Sequence, residues 1–212
     1  MPVLDRRAAN RSSDALSIAV LGCSTGEESV RIFWELSTEL AQRGNKPGIK
    51  ICGVDLEKRV VTEARRRVSG AKPLQGSMNN DDSEYARDII NGINHDLSLK
   101  SALRESVEFR EGDITKPDTL KEAIEKQPDI IFINHTFRLF DQGAQLKIYG
   151  ALSATFRDAV IAIGDPEGVI NNLVQEGGYE HLLVRPEIRE GLTVYAFGLP
   201  FWTNQVIPGL WG

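Results

Sequence analysis

The residues best suited to chemistry sit in short polar segments that each follow an apolar run. The first is Gly22-Cys23-Ser24-Thr25-Gly26-Glu27-Glu28. Its two glycines permit a tight turn and close backbone approach, and Ser24 and Thr25 supply hydroxyls. Amide N–H groups opening the helix that follows face any polar group bound there. The segment is not G-x-G-x-x-G, and no lysine follows Gly26 as a Walker loop requires. Two carboxylates stand there instead. A phosphate beside Glu27 and Glu28 meets like charge, whereas an ammonium or sulfonium is attracted. Glu27, next to the glycine turn, is read as the functional acid, and Glu28 as a complement to the helix dipole.

Asp55 closes the next apolar run, where an acidic residue commonly receives the two hydroxyls of a ribose. It lies further from Gly22 than the roughly 20 residues of dinucleotide folds. A long helix and the loop from Gly44 to Gly48 account for the surplus. Asp113 follows a third run, placed to accept a hydrogen bond from an exocyclic adenine amine while Ile114 covers the base. Asn134-His135-Thr136 follows a fourth, and His135 is the side chain there able to orient a substrate or take a proton near neutral pH.

The elements that must position these groups read as alternating strands and helices. Ser17 to Leu21 is a buried strand, and Val30, Phe33, Leu36 and Leu40 recur at helical spacing from Glu27 onward. A strand from Ile49 to Val54 ends at Asp55, and Val60, Val61, Ala64 and Val68 mark a second helix. Val107 to Phe109 is a third strand, followed by a helix near 118–126 and a strand from Asp129 to Ile133. A long helix then carries Leu146, Tyr149, Leu152 and Phe156 on one face, and Ala159 to Ile163 is a fifth strand. Pro166 opens a further helix that Gly177-Gly178 closes. His181–Val184 and Thr193–Gly198 form a terminal antiparallel strand pair. Residues 69–98 interrupt the rhythm, with one short helix over 83–93, and are read as a lid or insert. The expected fold is one doubly wound α/β domain spanning 1–212, with a mostly parallel sheet. In such sheets ligands bind beyond the carboxyl ends of the strands, where the polar segments above lie.

Composition limits the partners. The chain has 212 residues, 41% hydrophobic and 26% charged, with a formal net charge of -5. That balance is unlike a nucleic-acid or anionic-lipid coat, and the Arg65-Arg66-Arg67 cluster on the second helix is read as a solvated face. No apolar run reaches the roughly 20 residues of a membrane helix, and the first residues lack a secretory signal. Cys23 and Cys52 are too few for a disulfide or zinc framework, so no metal is expected and a cytoplasmic setting fits. Trp202 and Trp211 lie in an aromatic tail over 199–212. They serve as substrate cover, as packing on the sheet edge, or as a homodimer contact.

The segment from Gly22 to Glu28 resembles, residue for residue, the cofactor loop of the chemotaxis-receptor glutamate methyltransferases, the CheR family. Val54-Asp55-Leu56 is similar to that family's acidic second-strand motif, Leu97 to Phe109 to its approach to strand three, and Asp129 to Asp141 to its fourth strand and sequel. The resemblance covers about residues 17–165. It implies a class I methyltransferase fold and S-adenosylmethionine as cofactor. It implies that Leu21 and Glu27 contact the methionine part, Asp55 and Leu56 the ribose, and Asp113 and Ile114 the adenine. His135 and Thr136 then stand near the methyl group. The chain departs from the family at Asn134, where the family has Arg, and at Leu139, where it has Tyr. About sixteen residues precede the first strand, without the family's helical N-terminal domain. The activity expected is methyl transfer to a small molecule or a protein carboxylate. Two other readings keep the cofactor: transfer or cyclisation of its aminocarboxypropyl chain, and cofactor binding without turnover.

Overall fold

The computed structural model describes residues 15–42, 48–70, 97–134, 136–157, 159–164 and 182–183. Its first apolar run forms β1 (Ala15–Leu21), and α1 (Glu27–Gln42) follows the glycine loop. Val30, Phe33 and Leu36 recur at spacings of three, so α1 buries one face against the sheet. Then come β2 (Gly48–Asp55) and α2 (Lys58–Ser69). Gly70 ends α2 in the left-handed region at φ 75°, and its N–H reaches the carbonyls of Arg66 and Arg67. Helix α3 (Leu97–Ser106) runs without a loop into β3 (Val107–Glu111), so the stretch leading to the third strand is helical. The order closes with α4 (Pro117–Ile124), β4 (Ile130–Asn134), a 3-10 turn (Phe137–Leu139), α5 (Gln142–Thr155), β5 (Val160–Gly164) and β6 (Leu182–Leu183).

The sheet order is β3-β2-β1-β4-β5-β6, and every pairing is parallel. This is the doubly wound arrangement the alternation predicts, with its topological switch between β1 and β4. Leu21 pairs with Val54 on one side and Ile133 on the other, so three strand ends finish level. The register delivers the glycine loop, Asp55 and Asn134 to one edge.

One hydrophobic cluster lies on each face of the sheet. Leu21, Ile131, Ile133, Leu120 and Leu152 are almost fully buried in the second, and burying each such side chain stabilises by about 1.5–3 kcal/mol. In α5 the apolar face differs from expectation. Leu146 is exposed, and Ile148 joins Tyr149 and Leu152 in the core. Asp141 caps α5, its carboxylate accepting the Ala144 N–H at 2.9 Å. Of the terminal strand pair, Leu182–Leu183 runs parallel to β5. Its expected partner over 193–198, the helices over 83–93 and after Pro166, and the aromatic tail lie outside the described residues.

Candidate functional site

The turn between β1 and α1 has a backbone few sequences permit. Gly22 and Gly26 have φ of 71° and 83°, and Ser24 lies in the same left-handed region at 48°. Both glycines are also hemmed in. A Cβ on Gly22 would come within 1.9 Å of the Thr136 hydroxyl, and one on Gly26 within 2.5 Å of the Phe109 ring. A Cβ on Gly53 of β2 would likewise come within 2.5 Å of that ring. The close approach the glycines allow is thus to the protein's own side chains. Phe109 wedges the loop over β2, while Thr136 braces it from just beyond β4.

Hydrogen bonds fix the turn. The N–H groups of Gly22 and Cys23 both reach the Val54 carbonyl, at 2.8 and 3.2 Å. Asp55 accepts from the Ser24 N–H at 2.9 Å and the Glu57 N–H at 3.0 Å, one on each oxygen. A carboxylate offers about four lone-pair sites, so both oxygens keep capacity for a ligand's hydroxyls. Leu56, immediately beyond, is 70% exposed, an apolar surface at a strand end otherwise lined by polar groups. Thr25 accepts a long hydrogen bond from Arg67 at 3.5 Å.

The two glutamates have different surroundings. Arg67, expected on a solvated face, turns inward and binds Glu27 at 2.8 Å. Glu28, in the first turn of α1, is half-buried. Burial pushes its carboxyl up to about 7, opposed by a hydrogen bond from Asn134 and by the more distant charge of Arg31. Arg31 is itself bound to Glu35 at 2.7 Å. Asn134 ends β4, and its side-chain oxygen is sealed from solvent without a hydrogen-bond partner. Ser29, next along α1, is fully buried with its hydroxyl likewise unpartnered.

The other designated residues are distributed as follows. Leu21 packs its side chain into the core, and its carbonyl accepts from Thr136 at 3.4 Å. Asp113 accepts from the Thr115 N–H and hydroxyl at 2.9 and 2.6 Å and pairs with Lys116 at 3.2 Å, which holds its carboxyl below the usual range. Ile114 packs against the second core cluster. His135 lies outside the described residues. Cys23 is buried, which pushes its thiol far above the range of a reactive cysteine. A separate groove of about 870 Å³ runs beside β3, lined by Arg65, Val68, Phe109 and Glu111 among others, at the outer edge of the sheet. Among the described residues, no group of His, Cys, Asp and Glu is arranged to hold a metal ion.

These features define a doubly wound α/β domain whose glycine turn, Asp55 and Asn134 gather at the switch point of the sheet. The model of the CheR methyltransferase SAM-binding domain matches residues 2–178. The chain belongs to that family, and its cofactor is S-adenosylmethionine. Among solved structures it is similar to glucose-6-phosphate 1-dehydrogenase from Mycobacterium avium, with 16% identity and a TM-score of 0.46. That likeness covers 81% of this chain and 36% of the other. It is also similar to LepI complexed with SAM, with 14% identity, a TM-score of 0.41, and 77% and 30% covered. The chain thus spans about a third of the length of these proteins. At such values it is the family match that identifies the chain. The residues at the switch point fit the cofactor: a carboxylate with free lone pairs for ribose, an exposed leucine beside it, and an orphaned acceptor for a donor group. No helix among the described residues is long and apolar enough to cross a membrane.

Proposed function

We propose that this domain transfers the methyl group of S-adenosylmethionine to a nucleophile on a small molecule or a protein side chain. The bound cofactor supplies an electrophilic methyl on a sulfonium. The protein's own part is to hold and align the partners, which lowers such a barrier by roughly 7–11 kcal/mol. Asp55 holds the ribose through the lone pairs that Ser24 and Glu57 leave free, and Leu56 lies along it. Asp113 and Ile114 flank the adenine. The backbone from Leu21 to Gly26, with Ser24, Thr25 and Glu27, lines the methionine portion. Asn134 and Thr136 bound the methyl-transfer side.

A carboxylate acceptor needs no general base. An amine or hydroxyl acceptor must lose a proton, and His135, between Asn134 and Thr136 in the chain, is the group we assign to take it. The single observation that carries the reading is the convergence of Asp55, the glycine turn and Asn134 on one sheet edge, with an acceptor there still lacking a donor. We treat residues 1–212 as one domain, with 69–98 and 199–212 as covers of the acceptor space.

The test incubates the protein with methyl-labelled S-adenosylmethionine and a panel of carboxylate, amine and hydroxyl acceptors. Labelled product with S-adenosylhomocysteine supports methyl transfer. Methylthioadenosine would instead mean that the aminocarboxypropyl chain is used, and saturable binding without any product would mean a sensing domain. His135→Ala is expected to spare binding and lower turnover on amine or hydroxyl acceptors.

A further inference from the structure

Strand β3 is the outer strand of the sheet, and among the described residues it pairs with β2 alone. Along such a strand the backbone groups of successive residues point to alternate sides. The Gly112 N–H, in step with those of Glu108 and Arg110, donates to the Asp55 carbonyl of β2. The Phe109 carbonyl faces the other way, where Arg65 Nε donates to it at 2.9 Å. Val107, Phe109 and Glu111 therefore turn their N–H and C=O groups away from the sheet. They form the floor of the groove beside β3, with Arg65 and Arg104 on one side and Glu122 on the other. A row of outward N–H and C=O groups is a template for a further strand. The Phe109 carbonyl keeps a second lone pair, so Arg65 does not exhaust it.

The charges decide which strand fits. Glu108 and Arg110 lie on one face of β3, on either side of Phe109 and opposite in sign, and they bind each other at 3.0 Å. Antiparallel pairing about a two-fold axis at Phe109 sets Val107 against the partner's Glu111 and Glu108 against the partner's Arg110. The outward-facing residues then make the hydrogen-bonded pairs. The opposite charges fall on the closer, non-hydrogen-bonded positions. Moving the centre by one residue would set Glu108, or Arg110, against its own copy, which like charge disfavours. On the other face, the partner's Glu111 enters the side of the groove that carries Arg65 and Arg104. Those guanidiniums bind the carbonyls of Phe109 and Ser69, and neither has a carboxylate partner among the described residues.

We propose that the β3 edge is a dimer interface, on which a second copy of the chain lays its own β3 antiparallel so that the two sheets join. The edge selects a copy of itself because its charges complement their own two-fold image.

The experiment follows the full chain by sedimentation equilibrium and by amide hydrogen exchange over one concentration range. The mass is expected to rise to that of two chains. Exchange at Val107, Phe109 and Glu111 is expected to slow in step, by at least about ten-fold. Glu108→Arg and Arg110→Glu are each expected to weaken dimerisation at least about ten-fold, since each sets like charges face to face. Mixing the two variants is expected to restore association as a heterodimer, and combining both changes in one chain is expected to restore the homodimer. Thermal unfolding shows which variants fold, and the exchange of the wild type needs no variant. A chain that stays monomeric overturns the proposal. If its β3 amides are nevertheless protected at every dilution, the edge is filled from within the chain. A dimer whose β3 amides stay unprotected, or which both charge reversals leave intact, uses another face and overturns the proposal as well.

Discussion

The carboxyl ends of β3 and of the β1–β4 pair belong to one sheet, yet they treat charge in opposite ways. Beyond β3 each polar group named here has its partner within the fold. Asp113 is held by Thr115 and Lys116, and Arg110 bridges Glu108 and Glu125, which pushes its guanidinium up and the Glu125 carboxyl down. Beyond β1 and β4, desolvation pushes the Glu28 carboxyl up to about 7, and the Asn134 amide oxygen lacks a donor. Exposed pairs of the first kind contribute little to stability. Unmet hydrogen bonds of the second kind cost free energy and persist only where packing enforces them.

The sharpest way to break this contrast is to remove the wedge that enforces it. Phe109→Ala is expected to destabilise the fold by about 3–5 kcal/mol, because its buried ring fills the space over Gly26 and Gly53. Urea unfolding measures this, and a loss well under that range would mean the loop is held by other contacts.

The next effect depends on pH. Glu28 titrates near 4.5 in the unfolded chain and near 7 in the fold, so the folded state binds its proton more tightly. Its contribution is therefore full below about pH 4.5 and is lost as pH rises through about 7. Glu28→Gln removes that slope. Above neutrality the variant is expected to be more stable than the wild type, by on the order of 2–3 kcal/mol. Parallel stability curves from acid to neutral pH would show that Glu28 is not desolvated.

Asp55→Ala is expected to weaken S-adenosylhomocysteine binding by about 1–3 kcal/mol, and to loosen the loop because Ser24 and Glu57 lose their acceptor. Unchanged affinity by calorimetry would remove Asp55 from the ribose site. The smallest effect belongs to the other region. Lys116→Ala breaks the exposed pair with Asp113 and is expected to cost less than about 1 kcal/mol in thermal unfolding.

Much of this was legible in the residues. Buried parallel strands read as unbroken apolar runs, so Leu21, Asp55 and Asn134 stand at strand ends as the pattern requires. The parts that were not legible depend on distant partners. Glu27 and Glu28 are alike in sequence, and their surroundings separate because Arg67, in the last turn of α2, folds back onto one of them. The burial of Glu28 follows from the approach of β4, which no local spacing reports. Leu146 has the spacing of a core residue but faces outward, because Ile148 and Tyr149 fill the face that packs on the sheet. In the sequence, the glycines of the loop read as room for a ligand. They are equally room for Phe109 of β3 and for Thr136 just beyond β4, both far along the chain.

The measurement that bears most directly on the whole account is a calorimetric competition at the switch point. S-adenosylhomocysteine is expected to bind saturably to the wild type, lose affinity in Asp55→Ala, and be left undisturbed by excess ATP or NAD. Displacement by either nucleotide, or no binding of S-adenosylhomocysteine at all, would contradict it.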